Sequence, residues 1–148
     1  MEAEIFKKIT ANIFKKNSFV KKGNYFRKSG DGVIASVNLQ HSNFSSSYYI
    51  NAGFVIEQIN PGLKDPKDYQ TDLSIRFFMT KDGEKIIVFD LDSLNDSDIP
   101  WLEEGLQKNL DEFVNNYLSV EGLKLMLKTH PDFLKFTKGN AREFLGYV

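Results

Sequence analysis

The sequence predicts an α+β fold: an N-terminal helix, an antiparallel sheet of about five strands, and C-terminal helices packed on one face of that sheet. Three observations carry this. Residues 3–16 place Ile5, Ile9 and Ile13 four apart, with Phe6 and Phe14 beside them and lysines opposite, which is helical spacing. Residues 33–40, 48–57 and 73–80 alternate apolar and other side chains with period two, the mark of half-buried strands. Beyond Leu91 the apolar period becomes helical again. Strands grouped together between helices form an α+β layout rather than an alternating α/β one.

The elements follow in order. After the first helix, residues 19–28 read as a strand or tight hairpin broken at Gly23-Asn24. Ser29-Gly30-Asp31-Gly32 is a turn signal, and residues 33–40 and 48–57 follow as strands joined through His41-Ser42-Asn43-Phe44-Ser45. Residues 58–71 contain Pro61, Gly62 and Pro66 and form a long irregular stretch, which in a compact domain is often functional or mobile. A fourth strand is expected over 73–80 and a fifth over 85–91, joined at Asp82-Gly83, a favoured hairpin pair. Ser97 or Asp98 can cap the next helix, with Pro100 in its first turn and Leu102, Leu106, Leu110, Phe113 and Tyr117 as its stripe. Ser119 can cap a shorter helix through Leu123, Met126 and Leu127 that ends at His130-Pro131. Asn140 with Glu143 three residues on resembles a capping box for a last short helix.

Composition bounds the rest. A chain of 148 residues is expected to be one domain over 1–148. Its 41% hydrophobic content, with 13 Phe, suffices for a core without staples. The absence of Cys excludes disulfides, thiol chemistry and thiolate metal sites, and fits a reducing compartment. The start, Met1-Glu2-Ala3-Glu4, is acidic with no apolar run behind it, and no stretch is apolar enough to span a bilayer. A cytoplasmic protein with no membrane contact is expected. The net charge of −1 is unevenly spread. Lys7, Lys8, Lys15, Lys16, Lys21, Lys22, Arg27 and Lys28 make the beginning basic. Asp90, Asp92, Asp96, Asp98, Glu103 and Glu104 make a later stretch acidic, a candidate surface for a basic protein partner.

The strand phases define a candidate ligand site. One face collects Val33, Val37, Ile50, Phe54, Leu73, Ile75 and Phe77. The other collects Ser36, Asn38, Gln40, Tyr49, Asn51, Ser74, Arg76 and Phe78. Amides, a guanidinium and rings are unusual on an idle solvent face, where Lys, Glu and Thr are common. Asn38, Gln40, Tyr49, Asn51 and Arg76 form a donor and acceptor platform for a carboxylate, phosphate or peptide. The structural alternative has Arg76 bonded to Asn51 or Gln40 and covered by the C-terminal helices.

Other motifs carry less. Residues 86–92 run from an apolar strand into Asp90-Leu91-Asp92, which resembles the first motif of haloacid-dehalogenase-type phosphatases. That motif would use Asp90 as nucleophile with Mg²⁺. The antiparallel context and the Ser93-Leu94 continuation argue against it. Counting a calcium loop from Asp90 puts Asn95 where glycine and Trp101 where glutamate is needed. His41 and His130 have no ligand partner at a recognised spacing. Lys21 to Arg27 interleaves bases and rings as single-strand binders do, but an edge strand guarded by lysines reads the same way, and nucleic acid is not expected. No catalytic residue, metal or cofactor is assigned.

Three stretches together resemble a family. They are Ser18 to Arg27, lysine-rich and ending in aromatic–Arg; the strand holding Asn38-Leu39-Gln40; and the strand holding Ile50-Asn51-Ala52-Gly53. With Arg76 in a later strand, they make residues 3–80 similar to a bacterial family of uncharacterised proteins, domain of unknown function number 4304. The resemblance supports the fold and implies no activity. Function is therefore read from class. The first expectation is a non-enzymatic binding protein, such as an immunity protein that neutralises a basic toxin domain through the acidic stretch. The second is a small-molecule or peptide-binding module on the polar sheet face. The third is the Mg²⁺-dependent phosphatase.

Overall fold

The first helix, α1 (Ala3–Lys16), buries Phe6, Thr10, Ile13 and Phe14, while Ile5 is exposed. The stripe is thus rotated away from the isoleucine line toward the two rings. These bury more apolar area and reach the sheet, Phe6 against Tyr48 at 5.4 Å and Phe14 against Phe26 at 5.1 Å. The coordinates are a computed structural model and describe residues 1–147.

Five strands follow: β1 (Val20–Lys22), β2 (Tyr25–Ser29), β3 (Val33–His41), β4 (Ser47–Ile56) and β5 (Leu73–Arg76). They pair antiparallel in that order. Gly23, at φ +62°, supplies the left-handed residue of the β1–β2 turn. A short strand, β8 (Phe89–Asp90), also pairs β4, so the sheet has six strands. Between β5 and β8, β6 (Met79–Lys81) and β7 (Glu84–Ile86) form a separate hairpin. Asp82 (φ 51°) and Gly83 (φ 80°) make its tight turn, as the Asp-Gly pair predicts.

Two expected strands are therefore corrected. Residues 73–80 break after Arg76. Phe78 does not pair with a strand: Asn109 donates to its carbonyl (2.8 Å) and accepts from its amide (3.2 Å), and the chain peels away. Residues 85–91 break between β7 and β8, leaving Ile87 and Val88 exposed. The two flanking pieces pair with different partners, β7 with β6 and β8 with β4.

The helical part comprises α2 (Ile99–Leu110), which continues as a π-helical turn over Asp111–Asn115, then α3 (Val120–Thr129), a 3-10 segment Pro131–Phe136 and α4 (Gly139–Phe144). Leu102, Leu106, Leu110 and Phe113 are buried as the stripe predicts. Ser119 caps α3, its Oγ accepting from the Gly122 amide at 2.8 Å. The capping box at Asn140 and Glu143 does not form. Helix α4 starts earlier, after Lys138, and the Asn140 side chain accepts from the adjacent Ala141 amide instead. Asp98 caps α2 with no side-chain bond; with Asn95 it closes a 3-10 turn just before the helix. One apolar cluster joins Phe6, Val37, Phe54, Leu106 and Leu145, so both ends of the described chain meet in the same core. Among the described residues no helix is long and apolar enough to cross a membrane.

Candidate functional site

Antiparallel register lays the polar face out in rows. Tyr25 pairs with Asn38, Asn38 with Asn51, and Asn51 with Arg76. The next row runs through Arg27, Ser36, Gly53 and Ser74, and Gln40 lies opposite Tyr49. Side chains in one such row share a face. Asn38, Gln40, Tyr49, Asn51 and Arg76 therefore belong to one layer, because every strand turns its apolar partners to the opposite side.

The long stretch after β4 divides this layer. Asp72 ties its two ends together: one carboxylate oxygen accepts from the Ile56 amide (2.8 Å) and from the Asn60 side chain (2.7 Å). Burial holds the Asp72 pKa above the ordinary aspartate value, opposed by those two hydrogen bonds. The loop then lies back over the first half of the polar face. Asp65 forms ion pairs with Lys22 and Arg27, and Asp68 accepts from Asn38 at 3.3 Å. Lys67 stands 5.0 Å from the centre of the Tyr25 ring. Gly53 lets Thr71 seat directly on the sheet, since a Cβ there would come within 2.5 Å of the Thr71 methyl. As a result Asn38 is only 8% and Ser36 only 5% exposed. The expectation of one open platform is corrected here: the loop covers Asn38, and Asp65 and Asp68 take partners that a ligand would use.

The second half stays open. Arg76 is exposed, and its guanidinium lies 3.8 Å from the centre of the Tyr49 ring. Its Nε donates to Asn51 Oδ1 and its Nη2 to Gln40 Oε1, each at 3.3 Å, while Asn51 Nδ2 donates to the same Gln40 oxygen at 3.0 Å. The Nε–Nη2 edge of the fork is thus held by amides. Nη1 has no hydrogen-bond partner among the described residues, so the outward end of the fork is left for an anion.

Gln40, Asn51 and Arg76 of this cluster line a cleft of about 610 Å³. Phe113, Phe133 and Phe136 line it from the helical part, Phe78 from just before the hairpin, Lys85 from within it and Ile87 from just after it. The aromatic wall is braced from behind. Phe113 and Phe133 rings lie 5.8 Å apart, and His130 stacks on Phe133 at 5.2 Å. Lys85 Nζ sits 4.4 Å from the Phe78 ring centre. The cleft therefore offers two cations, Arg76 and Lys85, against one carboxylate, Asp68, with amides on one side and rings on the other. That chemistry suits an anion carried on an apolar body. Lys85 and the three phenylalanines of the helical part had no signal in the chain. Each reads locally as an ordinary core or surface residue, and only packing brings it beside Arg76.

The acidic candidates differ in bonding and exposure. Asp90 closes its own turn, accepting from the Asp92 amide (3.0 Å) and Ser93 Oγ (3.0 Å). Asp98 is bonded to Lys81 at 2.8 Å, which with the Asn95 amide holds its pKa below the ordinary value. Asp92, Asp96 and Glu104 are exposed, and Glu103 is half-buried. Among the described residues no group of three or more His, Asp or Glu side chains is placed to hold a metal ion.

Residues 10–119 match the family model of DUF4304, a domain of unknown function. The match reaches past β5 through α2, beyond the residues 3–80 that carry the resemblance. No curated protein and no solved structure matches the chain.

Proposed function

The chain belongs to the DUF4304 family, and from its open cleft we propose that it is a non-enzymatic binding module for a carboxylate-bearing ligand with an apolar body. One observation carries this reading. Arg76 is stacked on Tyr49 and braced by Gln40 and Asn51, yet its Nη1 has no hydrogen-bond partner among the described residues, and Phe113, Phe133 and Phe136 line the same cleft. A guanidinium pre-oriented in this way loses little entropy on meeting a carboxylate. A structural arginine would spend its fork on backbone or on an internal acid.

The test uses hydrocinnamate and its uncharged amide, titrated into the protein with amide shifts followed by NMR. The acid should move resonances around Arg76 and Phe133. The amide should bind about tenfold more weakly, the loss of one charge-assisted contact. Equal binding of acid and amide, or equal binding by wild type and Arg76→Leu, would remove the reading.

A second reading rests on Asp92, Asp96 and Glu104, which are exposed carboxylates. They fit a basic protein partner such as a toxin domain that the chain would neutralise, with charge raising the on-rate. Such a partner should lose on-rate when Asp92 and Asp96 become lysine, and an unchanged on-rate rejects that surface.

A further inference from the structure

We infer that the ligand of the cleft is an extended peptide segment that adds to the free edge of β5, an acidic residue facing Arg76 and apolar residues on either side. This rests on the reading of the cleft given above and specifies its ligand. The first ground is the hydrogen-bond parity of β4 and β5. The Phe77 amide donates to the Ile50 carbonyl at 2.9 Å. Alternation along an antiparallel ladder then turns Ile75 toward β4 and turns Ser74, Arg76 and Phe78 outward. The outer edge is closed at both ends by the protein itself. On one side the Lys138 amide donates to the Asp72 carbonyl at 2.8 Å, next to the bridge between Leu73 and Thr137. On the other, Asn109 occupies both backbone groups of Phe78.

Between these stoppers lie the Ser74 carbonyl and both backbone groups of Arg76. By the same alternation they point away from β4; Ser74 and Arg76 line the cleft, and among the described residues no further strand pairs this edge. An exposed strand edge is a template for one more strand. Here the template is about one residue pair long, too short for sheet-to-sheet association between two copies of the chain and long enough for a peptide.

The second ground is charge and shape. In an antiparallel pair, the residue opposite Arg76 projects its side chain on the Arg76 side, with Cβ atoms about 5 Å apart. A Glu there meets the unused end of the guanidinium, with Lys85 on the same cleft. Flanking apolar side chains meet Phe113, Phe133 and Phe136. Phe136 is 50% exposed and Ile87 37%, so the rim has apolar surface to bury.

The experiment titrates a set of acetylated and amidated tripeptides of the form apolar–Glu–apolar, with Leu, Val and Phe at the flanks, into the full chain. NMR follows the amides of Ser74, Ile75, Arg76 and Phe77. The expected result is a shift of the Arg76 amide on binding. Replacing Glu by Gln should weaken binding about tenfold, and N-methylating the Glu amide, which removes its donor to the Arg76 carbonyl, should weaken it at least about tenfold. Free hydrocinnamate is the control. If it binds through Arg76 while no tripeptide binds, or if N-methylation changes nothing, the peptide inference is overturned and the cleft remains an anion site. If neither the acid nor any tripeptide binds, both readings fall.

Discussion

Replacing Gly53 by alanine tests how the loop over the polar face is held. Gly53 lies in the middle of β4, and its φ is not in the left-handed region, so the backbone accepts alanine. On conformational grounds alone the change should stabilise by about 0.4–1 kcal/mol, through a less flexible unfolded chain. Contact geometry opposes it. The new Cβ would sit 2.5 Å from the Thr71 methyl and 2.9 Å from the Thr71 Cβ. Ordinary carbon contacts need about 3.5–4 Å, so Thr71 must retreat by about 1 Å. It has little freedom to do so. The side chain is β-branched and buried, and its hydroxyl bonds the Asp68 carbonyl (2.9 Å) and Ser74 Oγ (2.5 Å). Overpacking of this kind costs about 1–3 kcal/mol, and a lost hydrogen bond about 1 more. The net expectation for Gly53→Ala is a loss of about 1–3 kcal/mol, or about 3–10 °C in Tm for a domain of this size. Urea unfolding should show a lower midpoint with an unchanged slope. Thr71→Ser removes the nearest methyl and keeps the hydroxyl, so in the double variant it should recover about 1 kcal/mol as coupling. A Gly53→Ala protein as stable as wild type refutes the reasoning. So does strict additivity with Thr71→Ser.

Arg76→Leu should cost less than about 1 kcal/mol in thermal unfolding, since its bonds are long and solvent-facing; a much larger loss would place Arg76 in the core. Asn109→Leu keeps volume but strands the Phe78 amide and carbonyl, and should cost about 2–4 kcal/mol while the Phe78 amide loses hydrogen-exchange protection; unchanged exchange contradicts the break after β5. Asp72 has a folded pKa raised by burial, so the folded state holds its proton more tightly. Its contribution to stability therefore falls as pH rises from the ordinary aspartate value through the raised one; Asp72→Asn should lack that slope, so the difference between the two stability–pH curves should show it, and a flat difference would reject it. Asp98 has a lowered folded pKa, so its contribution runs the other way, present above the ordinary value and lost as pH falls through the folded one; Lys81→Met should reduce it, leaving the part held by the Asn95 amide, and an unaltered acid limb would show that the pair adds nothing.

How much was legible in the chain follows from which signals are local. Strand phase is local: Val37, Ile50, Phe54 and Ile75 must share one face for any core to form, and that places Asn38, Gln40, Asn51 and Arg76 on the other. The Asp82-Gly83 turn and the Ser119 cap are local as well, since each satisfies backbone groups within three residues. The family resemblance rests on the same strand residues and is shown by the match over residues 10–119. The break after Arg76 is not local, because the group that replaces a strand partner at Phe78 is Asn109, on a helix 31 residues further on. Nor is the division of the polar face. Asp65 and Asp68 look like loop surface until the loop folds back onto Lys22, Arg27 and Asn38. The aromatic wall assembles Phe113, Phe133 and Phe136 from two segments that a periodicity argument reads only as helical or irregular. Period and turn chemistry report what a residue does to its neighbours in the chain. Which half of a polar face stays open depends on which distant side chains reach it first, and close packing decides that only once the whole core is assembled.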